Sequence, residues 1–299
     1  MLTSIHAWIY PDVQPVPEQT SSSFFYRLYP FENELVPITL QQATLGSSIL
    51  VNYSSQSTRE DDIQEMLIQA LGLSVDMKGA LQCIESDSTI RHILSGVVGI
   101  RPYQSPTVFE ALIKTIIQQQ VSYRAANMLT KKLVLSIGSK SFLDDSIFYG
   151  FPTSNDIVGY GIKGLEELGF GFKAKYVHGV ADMVSQDSLA LEELKQKQHD
   201  EVITLLKPLH GIGLWTIQTL AIAGLGDFNI FPIGDLGIRN LLGRLYNNGQ
   251  RMSTKEVEHT VKRWGNQWPL VLYLLMCADV LDLIGKEGRQ QIHKRHSGI

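Results

Sequence analysis

Residues 209–216 read LHGIGLWT and lie between two segments in which apolar residues recur at helical spacing. Gly211 and Gly213, one residue apart, allow a tight hairpin between two helices. Because a glycine at a helix start leaves backbone N–H groups unobstructed, the first turn of the second helix suits a phosphate, which the helix dipole also attracts. The same pattern fits an ordinary glycine turn between helices, so taken alone it leaves both interpretations open.

Helical periodicity dominates the chain from about residue 88 onward, with almost no strand-like alternation. The clearest breaks are residues 99–106 and 226–235, where Gly and Pro interrupt the pattern. This texture predicts an all-helical remainder. The expected helices are 107–120, 122–137, 154–159, 163–168, 173–184, 189–195, 198–206, 213–225, 235–246, 254–264 and 268–284.

The first third has a different texture, with short runs rich in β-branched and aromatic residues. These runs, at 22–30, 36–40 and 48–53, predict strands of an antiparallel sheet. After Ser57 and Thr58, acidic residues begin a segment with apolar residues at helical spacing that ends at Gly72, which predicts one helix. The first third is therefore expected to be an α+β domain.

Composition excludes several classes of protein. The chain has 299 residues, of which 44% are hydrophobic and 19% charged, so it is not a disordered tail. Its two cysteines, Cys83 and Cys277, cannot build a disulfide framework or a four-cysteine metal site. The first twenty residues lack a signal-peptide pattern, and the longest apolar run, 270–278, is too short for a bilayer. We expect a cytoplasmic protein with no membrane partner.

Charge is unevenly distributed along the chain. The formal net charge is −4, but residues 1–100 hold 4 basic and 11 acidic side chains, whereas residues 101–299 hold 22 basic and 19 acidic. One face of the second part can therefore be positive although the whole protein is acidic. Charge permits a nucleic-acid partner without indicating one.

Three further stretches accompany the glycine hairpin. Residues 231–239 read FPIGDLGIR, residues 116–122 read IIQQQVS, and residues 168–174 read LGFGFKA. With LHGIGLWT, they occur in an order that resembles the helix–hairpin–helix DNA glycosylases, and among these the DNA-3-methyladenine glycosylase II group. The resemblance covers roughly residues 90–275, and the α+β first third is similar to the accessory sheet domain of that group.

The resemblance implies a mainly α fold with an α+β N-terminal antiparallel-sheet domain, followed by two all-helical subdomains and a helix–hairpin–helix DNA-binding motif. The expected domains are 1–88 for the accessory domain, 89–109 together with 228–299 for the subdomain with the catalytic aspartate, and 110–227 for the subdomain with the hairpin.

The resemblance places the catalytic aspartate of the family at Asp235. The residue type at this point also predicts a helix N-cap, and the two roles are compatible because a helix N-terminus favours a charged carboxylate. Such a carboxylate would stabilise positive charge at C1′ of the sugar and position water. Relatives that also nick the strand have a lysine where this chain has Trp215, so the implied enzyme is monofunctional. Trp215 is then either a core residue or a stacking partner for a cationic alkylated base.

The remaining site residues follow from the same resemblance. The Gln run is either a solvated helix face or a DNA contact, with Gln120 filling the place of the withdrawn base. The implied DNA-binding residues are Gln120, Leu209, His210, Gly211, Ile212, Gly213 and Thr216. Backbone carbonyls of Lys207, Leu209 and Ile212 would hold a monovalent cation, sodium or potassium, when DNA is bound, and no organic cofactor is implied.

The implied base pocket is less aromatic than that of the best-known members. It consists of Trp215, Gln119, Thr219, Leu236 and Cys277, the last three at positions where aromatic residues are expected in relatives. This departure affects the range of lesions more than the reaction.

We therefore expect a monofunctional glycosylase of base excision repair. It would flip out alkylated bases of the 3-methyladenine and 7-methylguanine type and leave an abasic site, acting as a monomer on double-stranded DNA in the cytoplasm, or on the nucleoid of a prokaryote. The alternatives are a glycosylase for deaminated or oxidised bases and a non-catalytic module that binds damaged DNA.

Overall fold

The computed structural model describes residues 1–32, 34–143 and 146–285, and it confirms a mainly helical fold with an N-terminal antiparallel sheet. The strands are β1 (Gln19–Thr20), β2 (Phe24–Pro30), β3 (Leu35–Gln42), β4 (Ile49–Tyr53), β5 (Lys140–Leu143) and β6 (Ser146–Tyr149). The α-helices are α1 (Leu2–His6), α2 (Glu60–Ala70), α3 (Lys78–Ser86), α4 (Leu94–Val97), α5 (Val108–Gln118), α6 (Tyr123–Ile137), α7 (Ser154–Glu167), α8 (Lys173–Ser185), α9 (His199–Leu206), α10 (Leu214–Leu220), α11 (Leu236–Tyr246), α12 (Thr254–Val261) and α13 (Trp268–Val280).

The chain divides into two compact units. The first comprises Met1–Ser74 and Tyr103–Asp227, and the second comprises Val75–Pro102 and Phe228–Ile299. This division differs from the expected domains, because the sheet groups with the helices of the hairpin and the second unit begins before α3. The expected domain 228–299 extends past the described residues, which end at 285.

The four-stranded sheet has the order β1-β2-β3-β4 with antiparallel neighbours throughout. Its register pairs Tyr29 with Val36 and Leu40 with Val51. Aromatic and branched side chains of β2 and β3 pack in one apolar cluster with Ile63 of α2, the predicted first-third helix. The period-two pattern thus forms a sheet because its apolar face is covered by α2.

A two-stranded sheet, β5 paired with β6, corrects the expectation of an all-helical remainder. Phe148 of β6 is buried and contacts the ring of Tyr26 in β2 edge to face, with ring centroids 6.1 Å apart. This contact stabilises the β5–β6 pair against β2 within the first unit. Strands of four residues carry too few alternations to be recognised against a helical background.

Several helices also differ from expectation. α1, α3 and α4 were not predicted, and 189–195 forms a 3₁₀ helix at Glu192–Gln196. The predicted helices 154–159 and 163–168 are joined in α7, with a kink at Gly161, whose φ is +75°. A positive φ is accessible to glycine at little cost, which explains why the periodicity breaks there without ending the segment.

Helix α5 is buried on nearly all sides, since eight of its eleven residues are inaccessible to solvent. Its two ends are therefore capped by side chains from other elements. The Glu192 carboxylate accepts the Val108 N–H at 2.8 Å, and the buried Lys173 Nζ donates to the Ile117 carbonyl at 2.6 Å. An acid at the N-terminus and a cation at the C-terminus also match the helix dipole.

A buried ion network joins the sheet to α5. Arg27 of β2 is fully buried and pairs with both Glu18 and Glu110, while Lys114 Nζ lies 2.9 Å from Glu18 Oε1 and 2.6 Å from Glu110 Oε1. Burial disfavours the charged form of Glu18, but Arg27 and Lys114 overcome this effect and keep the pKa of Glu18 below its ordinary value. Two acids and two bases thus compensate one another in an apolar interior.

In the second unit, the Asp87 carboxylate is the main polar anchor. It accepts from Tyr246 Oη at 2.8 Å, from Trp264 Nε1 at 3.3 Å and from the Thr89 N–H at 3.0 Å. Burial and then the Asp87 hydrogen bond raise the pKa of Tyr246.

Among the described residues no helix, not even the apolar α13, combines the length and the hydropathy that a bilayer span requires.

An exposed loop is ordered around the Glu34 carboxylate. Glu34 Oε1 accepts the Thr58 N–H at 2.6 Å and the Ser55 hydroxyl at 2.6 Å, and Oε2 accepts the Gln56 N–H at 2.9 Å. These donors, led by the Gln56 N–H, hold the pKa of Glu34 far below its ordinary value.

Replacing Arg27 with Met should destabilise the first unit by about 3–5 kcal/mol, because Glu18 and Glu110 would stay buried without their main counter-ion. Urea unfolding followed by circular dichroism measures the change. Arg59→Met is the matched control, since the Arg59–Asp61 pair is exposed (73% and 81%). It should change the unfolding free energy by less than about 0.5 kcal/mol. Equal effects of the two variants would contradict the role of the network.

Glu34→Gln should lower stability at neutral pH and weaken its acid dependence. A carboxyl whose pKa is depressed by folding stabilises the fold above its unfolded pKa of about 4.3, and this contribution is lost as pH falls further. The melting temperatures of the wild type and the variant should therefore converge below about pH 4. Glu32→Gln, in the same exposed turn, serves as the control; a constant difference at all pH values would refute the assignment.

Candidate functional site

The stretch LHGIGLWT forms a tight turn between α9 and α10, as its glycines predict. The Leu209 N–H donates to the Leu206 carbonyl at 3.0 Å, and the Ile212 N–H donates to the Leu209 carbonyl at 3.1 Å. Ile212 is buried in the core of the first unit, whereas His210 is exposed. The turn is thus anchored by one apolar side chain and closed by backbone hydrogen bonds.

The turn requires a glycine at position 211. Its φ is +84°, and an added Cβ would overlap the ring of Tyr176 in α8. The same ring contacts His210 edge to face at 4.8 Å. Tyr176 follows the LGFGFKA stretch by two residues, and no pattern in the sequence marks it as part of the turn.

Gly213, unlike Gly211, has no neighbouring atoms that would exclude a side chain. It is the N-cap of α10 with φ −102°, it is exposed, and an added Cβ would meet no atom within 4 Å. The first hydrogen bond within the helix runs from the Ile217 N–H to the Gly213 carbonyl at 3.1 Å. The backbone before that bond is therefore accessible to a phosphate. α10 continues as a π-helical turn, Ala221–Leu225.

Gln119 occupies a position that differs from the expected pocket. Its side-chain Nε2 donates to the Gly211 carbonyl at 2.8 Å and to Thr216 Oγ1 at 3.0 Å. Gln119 therefore binds the hairpin itself. Thr216 is 2% exposed, so its hydroxyl is not a surface contact for DNA, in contrast to the expectation.

Gln120 lies at the exposed tip of the turn between α5 and α6. Its φ is +57°, a left-handed conformation that is uncommon for a residue with a side chain. Ser122 begins α6 and its hydroxyl accepts the Ala125 N–H at 3.2 Å. Gln120 is exposed at this tip, and its role as a DNA contact stays a prediction.

Trp215 and Thr219, the expected pocket residues of α10, are both partly exposed. The Thr219 hydroxyl oxygen is buried and has no hydrogen-bond partner among the described residues. The neighbouring Leu214 is 51% exposed at the first position of α10. α10 thus presents an aromatic and an apolar side chain near its exposed start.

In the second unit, Asp235 is the N-cap of α11, as its residue type predicts. Its Oδ1 accepts the N–H groups of Gly237 at 2.7 Å and Ile238 at 3.2 Å. An added Cβ at Gly237 would lie 2.9 Å from this oxygen, which favours glycine there. The two donors and the helix N-terminus suit a negatively charged carboxylate.

The other expected pocket residues of this unit differ in accessibility. Leu236 is 54% exposed and can contact a ligand. Cys277 is fully buried in α13, and burial raises the pKa of its thiol. Cys277 therefore does not line an accessible pocket in this structure. It is one of eight buried residues of α13, and an alignment with aromatic positions of relatives carries no information about burial.

The expected cation ligands all lie in or beside the turn. Lys207 is the residue that follows α9, and the Leu209 carbonyl uses one lone pair for the Ile212 N–H. Carbonyl oxygens are suitable ligands for a hard cation and need no acidic side chain. Across residues 1–32, 34–143 and 146–285, no cluster of His, Cys, Asp and Glu fits a metal ion.

Lys173 is a further residue that sequence analysis did not assign, although it stands in the LGFGFKA stretch. It is 3% exposed, and its Nζ bond to the Ile117 carbonyl places a cation directly before the Gln run. Burial lowers the pKa of Lys173. The residue supports the end of α5 and does not contact the hairpin turn in the hydrogen bonds observed.

Comparison with known proteins places these features in a family. The model of the HhH-GPD superfamily of base excision DNA repair proteins matches residues 113–267. YfjP of Bacillus subtilis (strain 168), named as a candidate DNA-3-methyladenine glycosylase, is 28% identical over 163 residues, which are 54% of this chain and 54% of that protein. The matched part thus spans about half the length of this relative.

Two solved structures share the fold. A 3-methyladenine DNA-glycosylase from Archaeoglobus fulgidus has a TM-score of 0.83 and 27% identity, covering 95% of this chain and 96% of its own. The Clostridium acetobutylicum 8-oxoguanine glycosylase/lyase, in complex with double-stranded DNA, has a TM-score of 0.72 and 19% identity, covering 94% and 92%. With the family match extending over just over half of its residues, this chain belongs to the HhH-GPD superfamily of base excision DNA repair proteins.

Proposed function

We propose that the chain is a monofunctional DNA glycosylase that excises alkylated bases of the 3-methyladenine and 7-methylguanine type and leaves an abasic site. The observation that carries this proposal is the likeness to the Archaeoglobus fulgidus 3-methyladenine DNA-glycosylase, which extends over 95% of this chain at 27% identity. The N-cap position of Asp235 in the segment FPIGD supports it.

Three positions have separate roles in the proposed reaction. The exposed start of α10, with Gly213 in open space, binds a phosphate of the duplex. Extrusion of the damaged nucleotide allows its base to stack on Trp215, whose indole face attracts a cationic alkylated purine. Asp235 stabilises the positive charge that develops at C1′ as the base leaves, and it positions the water that attacks there.

Water is the nucleophile in this scheme because Trp215 stands where strand-nicking relatives have a lysine. Backbone carbonyls of Lys207, Leu209 and Ile212 would hold a sodium or potassium ion beside the bound phosphate, which adds positive charge at the hairpin. No organic cofactor takes part. The protein acts as a monomer on damaged double-stranded DNA, in the cytoplasm or on the nucleoid of a prokaryote.

A second candidate is a glycosylase for deaminated or oxidised bases. It is favoured by Thr219 and Leu236, which give the pocket less aromatic surface than alkylated bases are expected to meet. A third, a non-catalytic module that binds damaged DNA, is disfavoured by Asp235, because a carboxylate near phosphates weakens binding unless it has a catalytic role. Duplexes with single alkylated, deaminated or oxidised bases distinguish the three.

Asp235→Asn should lower the rate of base release from methylated duplex DNA by about 10²-fold or more, because the amide cannot stabilise developing positive charge. Free bases are quantified by chromatography, with abasic sites and nicks scored separately. Asn is an equally good N-cap, so the melting temperature should not change. Asp76→Asn is the control, since Asp76 Oδ1 makes the same type of bond to the Lys78 N–H at 2.9 Å. Undiminished release by Asp235→Asn would refute the mechanism, and enzymatic nicking would refute monofunctionality.

The two hairpin glycines should respond differently to alanine. Gly213→Ala should preserve stability to within about 1 kcal/mol but weaken DNA binding about tenfold, because the new methyl group occupies the space of the phosphate. Gly211→Ala should reduce stability by about 2 kcal/mol or more, since it adds strain and overlaps Tyr176. Thermal melting and fluorescence anisotropy with a labelled abasic-site duplex measure both effects. Normal binding by Gly213→Ala would exclude a phosphate at that position.

A further inference from the structure

Helices α5 and α10 are attached to each other at both ends. Near the start of α5, an added Cβ on Gly224 would lie only 2.5 Å from the Ala111 Cβ, so the backbones are in close contact there. Beyond the other end, Gln119 Nε2 donates to Thr216 Oγ1 at 3.0 Å. Gln119 lies eight residues after Ala111, and Thr216 lies eight residues before Gly224. The two helices therefore form an antiparallel pair of fixed register.

The Gln119 side chain suits this position for chemical reasons. Its amide has two N–H donors, and it uses them on two acceptors, the Gly211 carbonyl and the Thr216 hydroxyl oxygen. A glutamate offers no such donor, and a leucine would leave both acceptors without this partner. The Tyr176 ring packs on Gly211 as well, so an aromatic ring and an amide together fix the orientation of the turn.

Gln119 also determines the geometry of its neighbour. Gln120 follows directly and has φ +57°, a conformation that persists only where the surrounding structure holds it. With the side chain of Gln119 bound to the hairpin, Gln120 is displayed at the exposed tip of the α5–α6 turn. The hairpin and this tip are therefore joined through one side chain.

We propose that Gln119 is a positioning residue that couples the hairpin, residues 209–213, to the α5–α6 turn, residues 119–122, so that both approach DNA as one rigid element. The inference rests on the proposed function in one respect, namely that both segments contact the same duplex. Pre-ordering of the two segments reduces the entropy lost on binding. Gln119 acts through this coupling and does not itself contact the base.

The test compares Gln119→Leu with Gln118→Leu, the same substitution one residue earlier on the half-buried end of α5. Hydrogen exchange of the free protein is expected to accelerate at least about tenfold in both segments 119–122 and 207–216 of Gln119→Leu, and in neither segment of the control. Affinity for an abasic-site duplex should fall about tenfold. The single-turnover rate of base release at saturating enzyme should change less than about twofold, because Asp235 is untouched.

Thr216→Val provides a milder perturbation if Gln119→Leu is poorly folded. It removes one acceptor and should show the same changes to a smaller degree, and the double variant should be no worse than Gln119→Leu alone. Unchanged exchange and affinity in Gln119→Leu, or equal effects in Gln118→Leu, would overturn the coupling. If the wild type releases no alkylated base yet the exchange pattern is as expected, the proposed substrate fails and the coupling stands.

Discussion

The burial of α5 is the constraint on which the first unit depends. A buried helix must have its polar groups paired by other elements, because water cannot reach them. Glu192 pairs with the N-terminal N–H groups, Arg27 and Lys114 with Glu110, and Lys173 with the last carbonyls. Arg27 comes from β2, Lys173 from α8 and Glu192 from the 3₁₀ helix Glu192–Gln196, whereas Lys114 belongs to α5 itself. The pairing of this one helix therefore joins the sheet, α8 and the 3₁₀ helix Glu192–Gln196 in a single unit, although the sequence suggests a separate accessory domain.

Features that depend on local chemistry could be predicted from the sequence. The glycines of LHGIGLWT predicted the turn, and the position of Asp235 after a Pro- and Gly-rich segment predicted its N-cap. Long amphipathic stretches predicted the main helices of both units. The strands β5 and β6 were missed because four residues hold too little periodicity, and their stability comes from the contact of Phe148 with Tyr26.

The site was predictable to a lesser extent, because accessibility depends on tertiary packing. Gln119 and Cys277 were both expected to line a base pocket, yet Gln119 binds the hairpin and Cys277 is fully buried. Tyr176 could not be found by any local signal, since its role is set by the close approach of α8 to Gly211. The resemblance predicted which segments form the site, whereas the contacts of each side chain in those segments depend on tertiary packing.

The protonation state of the two cysteine thiols affects how readily the protein itself is alkylated. Agents that methylate DNA also attack thiolates, which are the reactive form of cysteine. Burial raises the pKa of both Cys83 and Cys277, so both thiols stay protonated at neutral pH, and Cys277 is also out of reach of solvent. Both cysteines are therefore poor nucleophiles toward methylating agents, the agents that form the alkylated bases of the proposed substrate class.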